Sequence, residues 1–365
     1  MLERRLPRLQ DVADAAGVHV STVSRALNDR TTTLLNPETV ERVRHVAHRL
    51  GYHVNGMARA LKTRRSLAVG VLVPDIINPF FPPIVRGAGD ALAAAGYSLV
   101  LTSTDNNRRK VRRQVRTMLE TQVDGLLLVT ALREDELVDE LRSNGAPLTL
   151  VNRAANRGDA FGMSAVISDD LQGITLAVTH LVGLGHQRIA YVGSTLDVSS
   201  DARRGVTFHQ VARRLGLPNA VAVEGEASDE AAGYRAAAEL FDSAARPTAI
   251  VAGNDLMALG ILDAVAGRGL QCPRDVSVVG FNDMPFGDRF KPTLTTVRVA
   301  KYDLGHRAAE LLLALIDDPG RDPETVVIAS DLIVRNSTGP PGRALPIPAE
   351  SGHARTRSHR DETQA

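Results

Sequence analysis

Short apolar runs rich in β-branched residues alternate with longer amphipathic segments along most of the chain, beginning at Leu67. The runs that we predict as strands are residues 67–73, 98–102, 125–129, 148–151, 165–167, 188–192, 221–223, 249–252 and 276–279. The segments that we predict as helices are residues 84–95, 110–121, 171–184, 204–215, 230–243 and 255–268. This alternation indicates βαβ units and parallel, doubly wound sheets. The number of strands is large for one sheet, so we predict an α/β body of two lobes with a ligand site between them.

The residues before Leu67 do not alternate in this way and are typical of short helices. Two helices joined by a tight turn fit residues 9–16 and 20–28, with Gly17 permitting the turn. A third helix is predicted by apolar side chains that return at helical spacing, namely Val40, Val43, Ala47 and Leu50. We therefore predict an all-α head that contains a helix-turn-helix.

The second helix of this pair carries short polar side chains and one guanidinium on its outer face. The outward residues are Val20, Ser21, Thr22, Ser24 and Arg25. Such side chains suit a helix that lies in a DNA major groove. The whole chain has a net charge of +1, but residues 1–66 hold 12 Lys/Arg against 6 Asp/Glu, so the body is acidic. A basic head on an acidic body predicts that the head attracts DNA.

A family resemblance rests on motifs in the head and the following segment. They are Asp11-Val12-Ala13, Ala16-Gly17-Val18, Ser21-Thr22-Val23-Ser24-Arg25-Ala26-Leu27-Asn28, Glu38-Thr39, Leu50-Gly51-Tyr52 and Asn55-Gly56-Met57-Ala58-Arg59-Ala60-Leu61. The chain resembles the LacI/GalR family of bacterial transcription regulators, and the resemblance continues to about Ser337. It implies a cytoplasmic repressor that binds a pseudo-palindromic operator as a homodimer, because one helix-turn-helix reads only half a site.

The resemblance also implies a domain organisation. Residues 1–53 form the helix-turn-helix domain, residues 54–65 the hinge helix and linker, and residues 66–338 an effector-binding body of the periplasmic-binding-protein type. Its first lobe comprises residues 66–164 and 297–322, and its second lobe comprises residues 165–293 and 325–337. The composition of residues 339–365, with four prolines and then a polar run, predicts a disordered tail.

The segment 55–62 is too short to be a stable helix alone, so by the resemblance it is a hinge helix that folds on DNA. Leu61 matches the family's leucine wedge, which kinks the operator from the minor groove. The other DNA contacts that the resemblance implies are Asn28, Asn55, Ala58 and Arg59. Taken alone, this segment is equally well interpreted as an ordinary linker. One departure from the family is His19, which we expect to be a poor cap for the recognition helix.

The predicted effector site gathers at the ends of several predicted strands. Phe80 and its neighbours Asp75 and Asn78 follow the first strand, and Phe80 is a candidate stacking floor for a sugar or heterocycle, with helix packing as the alternative. The residues added by matching the family are Ser200, Arg204, Asn254 and Asn282, and Asp255 is expected to cap the helix after Asn254. This set suits a neutral or mildly anionic hydroxylated ligand.

Other classes of protein have little support in the sequence. A sugar-binding protein of the same two-lobed fold without a regulatory role is the main alternative, but it would have no use for the basic head. No signal peptide or membrane span is predicted. Gly87 and Gly89 begin like a dinucleotide loop, but the third glycine position is Leu92, and no hydrolase or nucleotide-binding motif occurs. With the single cysteine Cys272, we predict no metal and no cofactor, and no enzymatic activity.

Overall fold

The computed structural model describes residues 7–27, 32–52, 65–154, 163–225, 227–243 and 246–342. In the head, the described helices are α1 (Leu9–Ala16), α2 (Val20–Ala26) and α3 (Pro37–Leu50), and a 3-10 turn at Thr32–Leu34 precedes α3. Apolar side chains from all three helices pack into one small core, which includes Val12, Ala16, Val23, Ala26, Val43 and Val46. The predicted hinge helix lies outside the described residues.

Local chemistry explains where the helices of the head begin and end. Gly17 ends α1 with a left-handed backbone, φ 65°, which a residue without a Cβ adopts readily. Asn36 caps α3, because its side-chain oxygen accepts a hydrogen bond from the backbone N–H of Glu38 at 2.9 Å. Pro37 occupies the first turn of α3, where no backbone donor is needed. These ends hold the helix-turn-helix in the predicted place.

Two expectations for the head are corrected. His19 caps α2, since its Nδ1 accepts a hydrogen bond from the backbone N–H of Ser21 at 3.2 Å, and a neutral imidazole has one acceptor nitrogen. The expectation of a poor cap was therefore wrong. Leu50, which we placed in the buried stripe of α3, is 37% exposed in the last turn, and Val46 is buried instead.

The first lobe of the body is built on a six-stranded sheet. Its strands are β1 (Ala68–Val73), β2 (Ser98–Ser103), β3 (Gly125–Leu128), β4 (Leu148–Val151), β5 (Ser164–Ser168) and β11 (Thr325–Ile328), in the order β2-β1-β3-β4-β5-β11. Its helices are α4 (Phe81–Ala94), α5 (Arg108–Glu120), α6 (Glu136–Ser143) and α11 (Lys301–Asp317). Every residue of β3 and β4 is buried, as expected for parallel strands covered by helices on both faces.

The second lobe repeats this plan with one antiparallel edge. Its strands are β6 (Ile189–Gly193), β7 (Val221–Glu224), β8 (Ala249–Ala252), β9 (Ser277–Asn282), β10 (Thr295–Val299) and β12 (Ser330–Ile333), in the order β12-β10-β9-β8-β6-β7. Its helices are α7 (Asp170–Gly183), α8 (Ser199–Arg214), α9 (Glu230–Asp242) and α10 (Asp255–Gly267). Only β12 runs against its neighbour, β10. The core under this sheet includes Ile250, Met257, Ile261 and Val278.

The chain passes between the two lobes three times, and the crossings differ from the predicted boundaries. β5 pairs with β4, so the first lobe runs to Ser168 instead of residue 164. β10 pairs with β9, so the second crossing follows Val299 instead of residue 293. β11 pairs with β5 and is therefore part of the first lobe, although we placed residue 325 in the second. None of the helices in the described part of the chain has the length and apolar character that a membrane span requires.

Candidate functional site

The helix-turn-helix presents polar groups on the outer face of α2. Ser21, Ser24 and Arg25 are exposed, whereas Val20 and Thr22 are half-buried and Val20 packs against the core of the head. The structure thus leaves three of the predicted contacts on the surface and gives Val20 a packing role as well. The predicted contacts Asn28, Asn55, Ala58, Arg59 and Leu61 lie outside the described residues.

A cavity of about 550 Å³ lies between the two lobes of the body. The residues that line it include every one of the seven predicted for the effector: Asp75, Asn78, Phe80, Ser200, Arg204, Asn254 and Asn282. The volume falls in the usual range for small-molecule sites. The cavity forms where the carboxyl ends of parallel strands in both lobes face one another, which is the expected place for a ligand in such sheets.

The first lobe contributes the loop between β1 and α4. Asp75 and Asn78 shape this loop through their side chains, which accept hydrogen bonds from the backbone N–H groups of Ile77 at 2.9 Å and Phe80 at 3.0 Å. Phe80 is 7% exposed and packs edge-on against Phe81, with ring centroids 5.2 Å apart. Phe80 therefore both lines the cavity and packs inside the lobe.

Arg204 is held rigidly in the wall that the second lobe provides. Its Nε donates to Asp170 at 2.8 Å, its Nη1 donates to the carbonyl of Gly253 at 2.7 Å, and its guanidinium lies 3.8 Å above the ring of Phe281. Burial alone would lower the pKa of Arg204, but the charges of Asp170 and Asp201 outweigh it and raise the pKa. We did not predict any of these partners from the sequence.

Asn254, and not Asp255 as we expected, caps the helix that follows β8. Asn254 caps α10, because its Oδ1 accepts from the backbone N–H of Met257 at 2.9 Å, while its amide nitrogen donates to the carbonyl of Ser228. Asp255 is 2% exposed and accepts from Thr296 Oγ1. Both side chains carry an oxygen on Cγ that can accept the capping hydrogen bond. The turn places the oxygen of Asn254 at the backbone N–H of Met257.

Burial raises the pKa of Asp255 to about 7, although hydrogen bonds from Thr296 and Met284 oppose the shift. Between pH 3.8 and about 7, the carboxyl group of Asp255 therefore stays protonated in the native state, whereas it is ionised in the unfolded state. The stability that the raised pKa of Asp255 contributes is complete below pH 3.8, and it is lost as the pH rises through about 7.

We expect Asp255→Asn, which cannot ionise, to remove this loss. The free energy of unfolding of the variant minus that of the wild type should rise by about 1.4 kcal/mol per pH unit between these values and then level off. Urea denaturation of both proteins across that pH range measures the difference. Two parallel curves would show that Asp255 is ionised throughout.

Thr130, Asn152 and Arg153 are among the polar residues of the cavity that sequence reasoning missed. Thr130 and Asn152 follow β3 and β4, and Arg153 follows Asn152. Asn152 directly follows β4, so a search for polar residues at the ends of strands would have found it. The lobes meet beside these residues, because the backbone N–H of Ala154 donates to Ser199 Oγ at 2.8 Å.

Known protein families match both the head and the body of this chain. The family model for bacterial regulatory proteins, lacI family, matches residues 8–55, and a periplasmic binding protein-like domain matches residues 178–338. Catabolite control protein A of Priestia megaterium is 32% identical over 90% of this chain and 98% of its own length. The ribose operon repressor of Escherichia coli (strain K12) is 31% identical over 90% of this chain and 99% of its own length.

Solved structures agree with the relatives. The lac repressor dimer bound to operator and the anti-inducer ONPF matches with a TM-score of 0.80 and 26% identity, covering 92% of this chain and all of that one. A LacI family regulator from Enterococcus faecium with bound ribose matches with a TM-score of 0.65 and 30% identity, covering 75% of this chain and 99% of that one. Fold and cavity define a two-lobed ligand-binding body preceded in the chain by a helix-turn-helix head. The chain belongs to the lacI family of bacterial regulatory proteins.

Proposed function

We propose that this protein is a ligand-responsive, DNA-binding transcriptional regulator that acts as a repressor. It binds a pseudo-palindromic operator as a homodimer, because one helix-turn-helix reads half of the site. A small hydroxylated, sugar-like metabolite in the cavity switches its affinity for DNA. The observation that carries this proposal is the joining, in one chain, of the exposed polar face of α2 and a cavity lined by all seven predicted effector residues.

The cavity supports a switch because its walls belong to different lobes. A ligand that contacts both walls binds one relative position of the lobes more tightly than another, and this difference is what shifts a conformational equilibrium. The relatives support the same interpretation, since they include a ribose operon repressor, an operator-bound repressor dimer and a ribose-bound regulator. The hinge helix with its leucine wedge, Leu61, remains the proposed connection to DNA.

Two further statements belong to this proposal. The protein acts in the cytoplasm, where its DNA is, and it is not an enzyme, since its relatives are regulators of transcription. The alternative, a sugar-binding protein without a regulatory role, explains the cavity but leaves the exposed serines and the arginine of α2 without a purpose. DNA binding by the full chain distinguishes the two.

Arg25→Ala is expected to weaken binding about tenfold to a duplex that the wild-type protein selects from a random library. The variant removes one charge-assisted contact, so the slope of log affinity against log salt should also decrease by about one. Fluorescence anisotropy over a series of salt concentrations measures both quantities.

Arg49→Ala provides the matched control, because Arg49 is an exposed arginine of the same head that lies on α3. We expect it to change affinity and slope much less than Arg25→Ala does. Equal effects of the two variants would mean that only the overall charge of the head matters, and failure of the wild-type protein to select any duplex would overturn the proposed function.

A further inference from the structure

Five charged side chains form a cluster at the wall of the cavity. Asp170 accepts from Arg204 at 2.8 Å and from Arg203 at 2.7 Å, and its side chain is 1% exposed. Asp201, which is also buried, accepts from Ser194 Oγ at 2.6 Å. The fifth member is Arg153, which comes from the first lobe. Three arginines and two aspartates leave the cluster with one net positive charge.

Arg153 is the member of the cluster whose charge is least compensated. Within the part of the chain that the structure describes, no carboxylate lies within 4.0 Å of its guanidinium, and its one hydrogen bond, from Nη1 to the carbonyl of Thr130, is long at 3.4 Å. Burial lowers the pKa of Arg153, and the attraction of Asp201 offsets this in part. A guanidinium carries several donors in a fork that fits a carboxylate, so this one has donors to spare.

Three polar atoms at the cavity also lack a partner. Thr130 Oγ1, Asn152 Oδ1 and Asn282 Oδ1 are buried and have no hydrogen-bond partner in the described structure. Two of them are amide oxygens, which only accept hydrogen bonds. Because an unpaired buried polar atom is destabilising, these positions indicate a ligand that brings hydroxyl donors.

We propose that the effector is a polyhydroxylated acid with one negative charge, a sugar acid, whose carboxylate is bound by Arg153 and whose hydroxyls donate to Asn152 and Asn282. The inference rests on the proposed function and makes its ligand specific. The charge of the cluster selects the class, because one carboxylate neutralises it, whereas a phosphate monoester carries about −1.5 to −2 at neutral pH. A neutral sugar would leave Arg153 without an anion.

Within the described structure, none of the remaining aspartates that line the cavity forms an ion pair with the arginines of the cluster. Asp75, Asp135 and Asp229 accept hydrogen bonds from backbone N–H groups at the starts of turns and helices. Asp197 is exposed at the rim. Asp255 accepts hydrogen bonds from Thr296 Oγ1 and from the backbone N–H of Met284. The arginine Arg112, which also lines the cavity, is neutralised by two glutamates of α6.

Isothermal titration of the full chain with matched pairs of probes tests the proposal. The pairs are glucose with glucuronate, galactose with galacturonate, and ribose with ribonate, with glucose 6-phosphate as the phosphate arm. We expect at least one acid to bind about tenfold more tightly than its neutral partner, and Arg153→Gln to remove that tenfold preference while the neutral sugar binds as before. Arg142→Gln, at an exposed arginine of α6 outside the cavity, is the control and should leave the preference unchanged.

The outcomes separate this inference from the proposed function. Neutral sugars that bind as tightly as the acids, tighter binding of the phosphate, absence of binding by every acid, or a preference that survives Arg153→Gln would each overturn the sugar-acid assignment. Arg153→Lys, which keeps the charge, serves if the glutamine variant does not fold, and it should retain a reduced preference. Selection of a duplex by the same preparations tests the proposed function independently, because Arg153 lies in the body and not in the head.

Discussion

Replacing Asp170 with alanine is expected to lower the free energy of unfolding by about 3–5 kcal/mol. Its carboxylate accepts from Arg204 and Arg203 together, and the side chain is 1% exposed. The substitution leaves the guanidinium of Arg204, which is 4% exposed, without the carboxylate that it pairs with. An uncompensated buried charge destabilises a protein far more than the loss of an exposed ion pair does.

Urea denaturation followed by circular dichroism measures this effect. The control is Asp242→Ala, because Asp242 also pairs with an arginine, Arg268, but is 72% exposed. We expect the control to lose less than about 1 kcal/mol, as exposed ion pairs do. If Asp170→Ala lost no more than Asp242→Ala, the arginines would be able to reach solvent or another anion, and the charge count of the cavity wall would have to be revised.

Much of the fold was predictable because its information is local. All nine predicted runs are strands, and most of them fill buried positions between helices. The strands that we did not predict, β10, β11 and β12, belong to the crossings between lobes. β11 and β12 are separated by Ala329 alone, and yet they pair in different sheets. Nothing in such a short stretch indicates where the chain changes lobe, because β11 pairs with β5 in the first sheet and β12 pairs with β10 in the second.

The candidate site was predictable to the extent that it follows the strand ends. Asn78 lies in the loop that follows β1 and Asn282 is the last residue of β9, and the structure brings both to the cavity. The pairing of Arg204 with Asp170 was not predictable from spacing, because 34 residues and a whole strand separate the two. The charge that surrounds Arg153 was not predictable either, because Arg153 belongs to the first lobe and the other members of the cluster belong to the second.

Gly305→Ala is expected to lower the free energy of unfolding by about 3 kcal/mol, because the helices α4 and α11 cross with their backbones in contact. A Cβ at Gly305 would lie 1.9 Å from the carbonyl oxygen of Ile84, and one at Gly87 would lie 2.1 Å from that of Tyr302. Both obstacles are backbone atoms, so no side-chain rotation relieves the overlap and the helices must separate. The glycine that we considered for a dinucleotide loop, Gly87, thus serves helix packing.

Gly183→Ala is the matched control for this prediction. Gly183 is also helical, in the last turn of α7, but a Cβ there meets no atom within 4 Å. Alanine favours a helix over glycine, so this variant should be neutral or slightly more stable, and urea denaturation of the two variants side by side separates helix propensity from steric overlap. Equal stability of both variants would show that α11 moves away from α4 at little energetic expense. The first lobe would then be more deformable than its close helix contact implies, and a ligand could reshape it directly as well as by moving one lobe against the other.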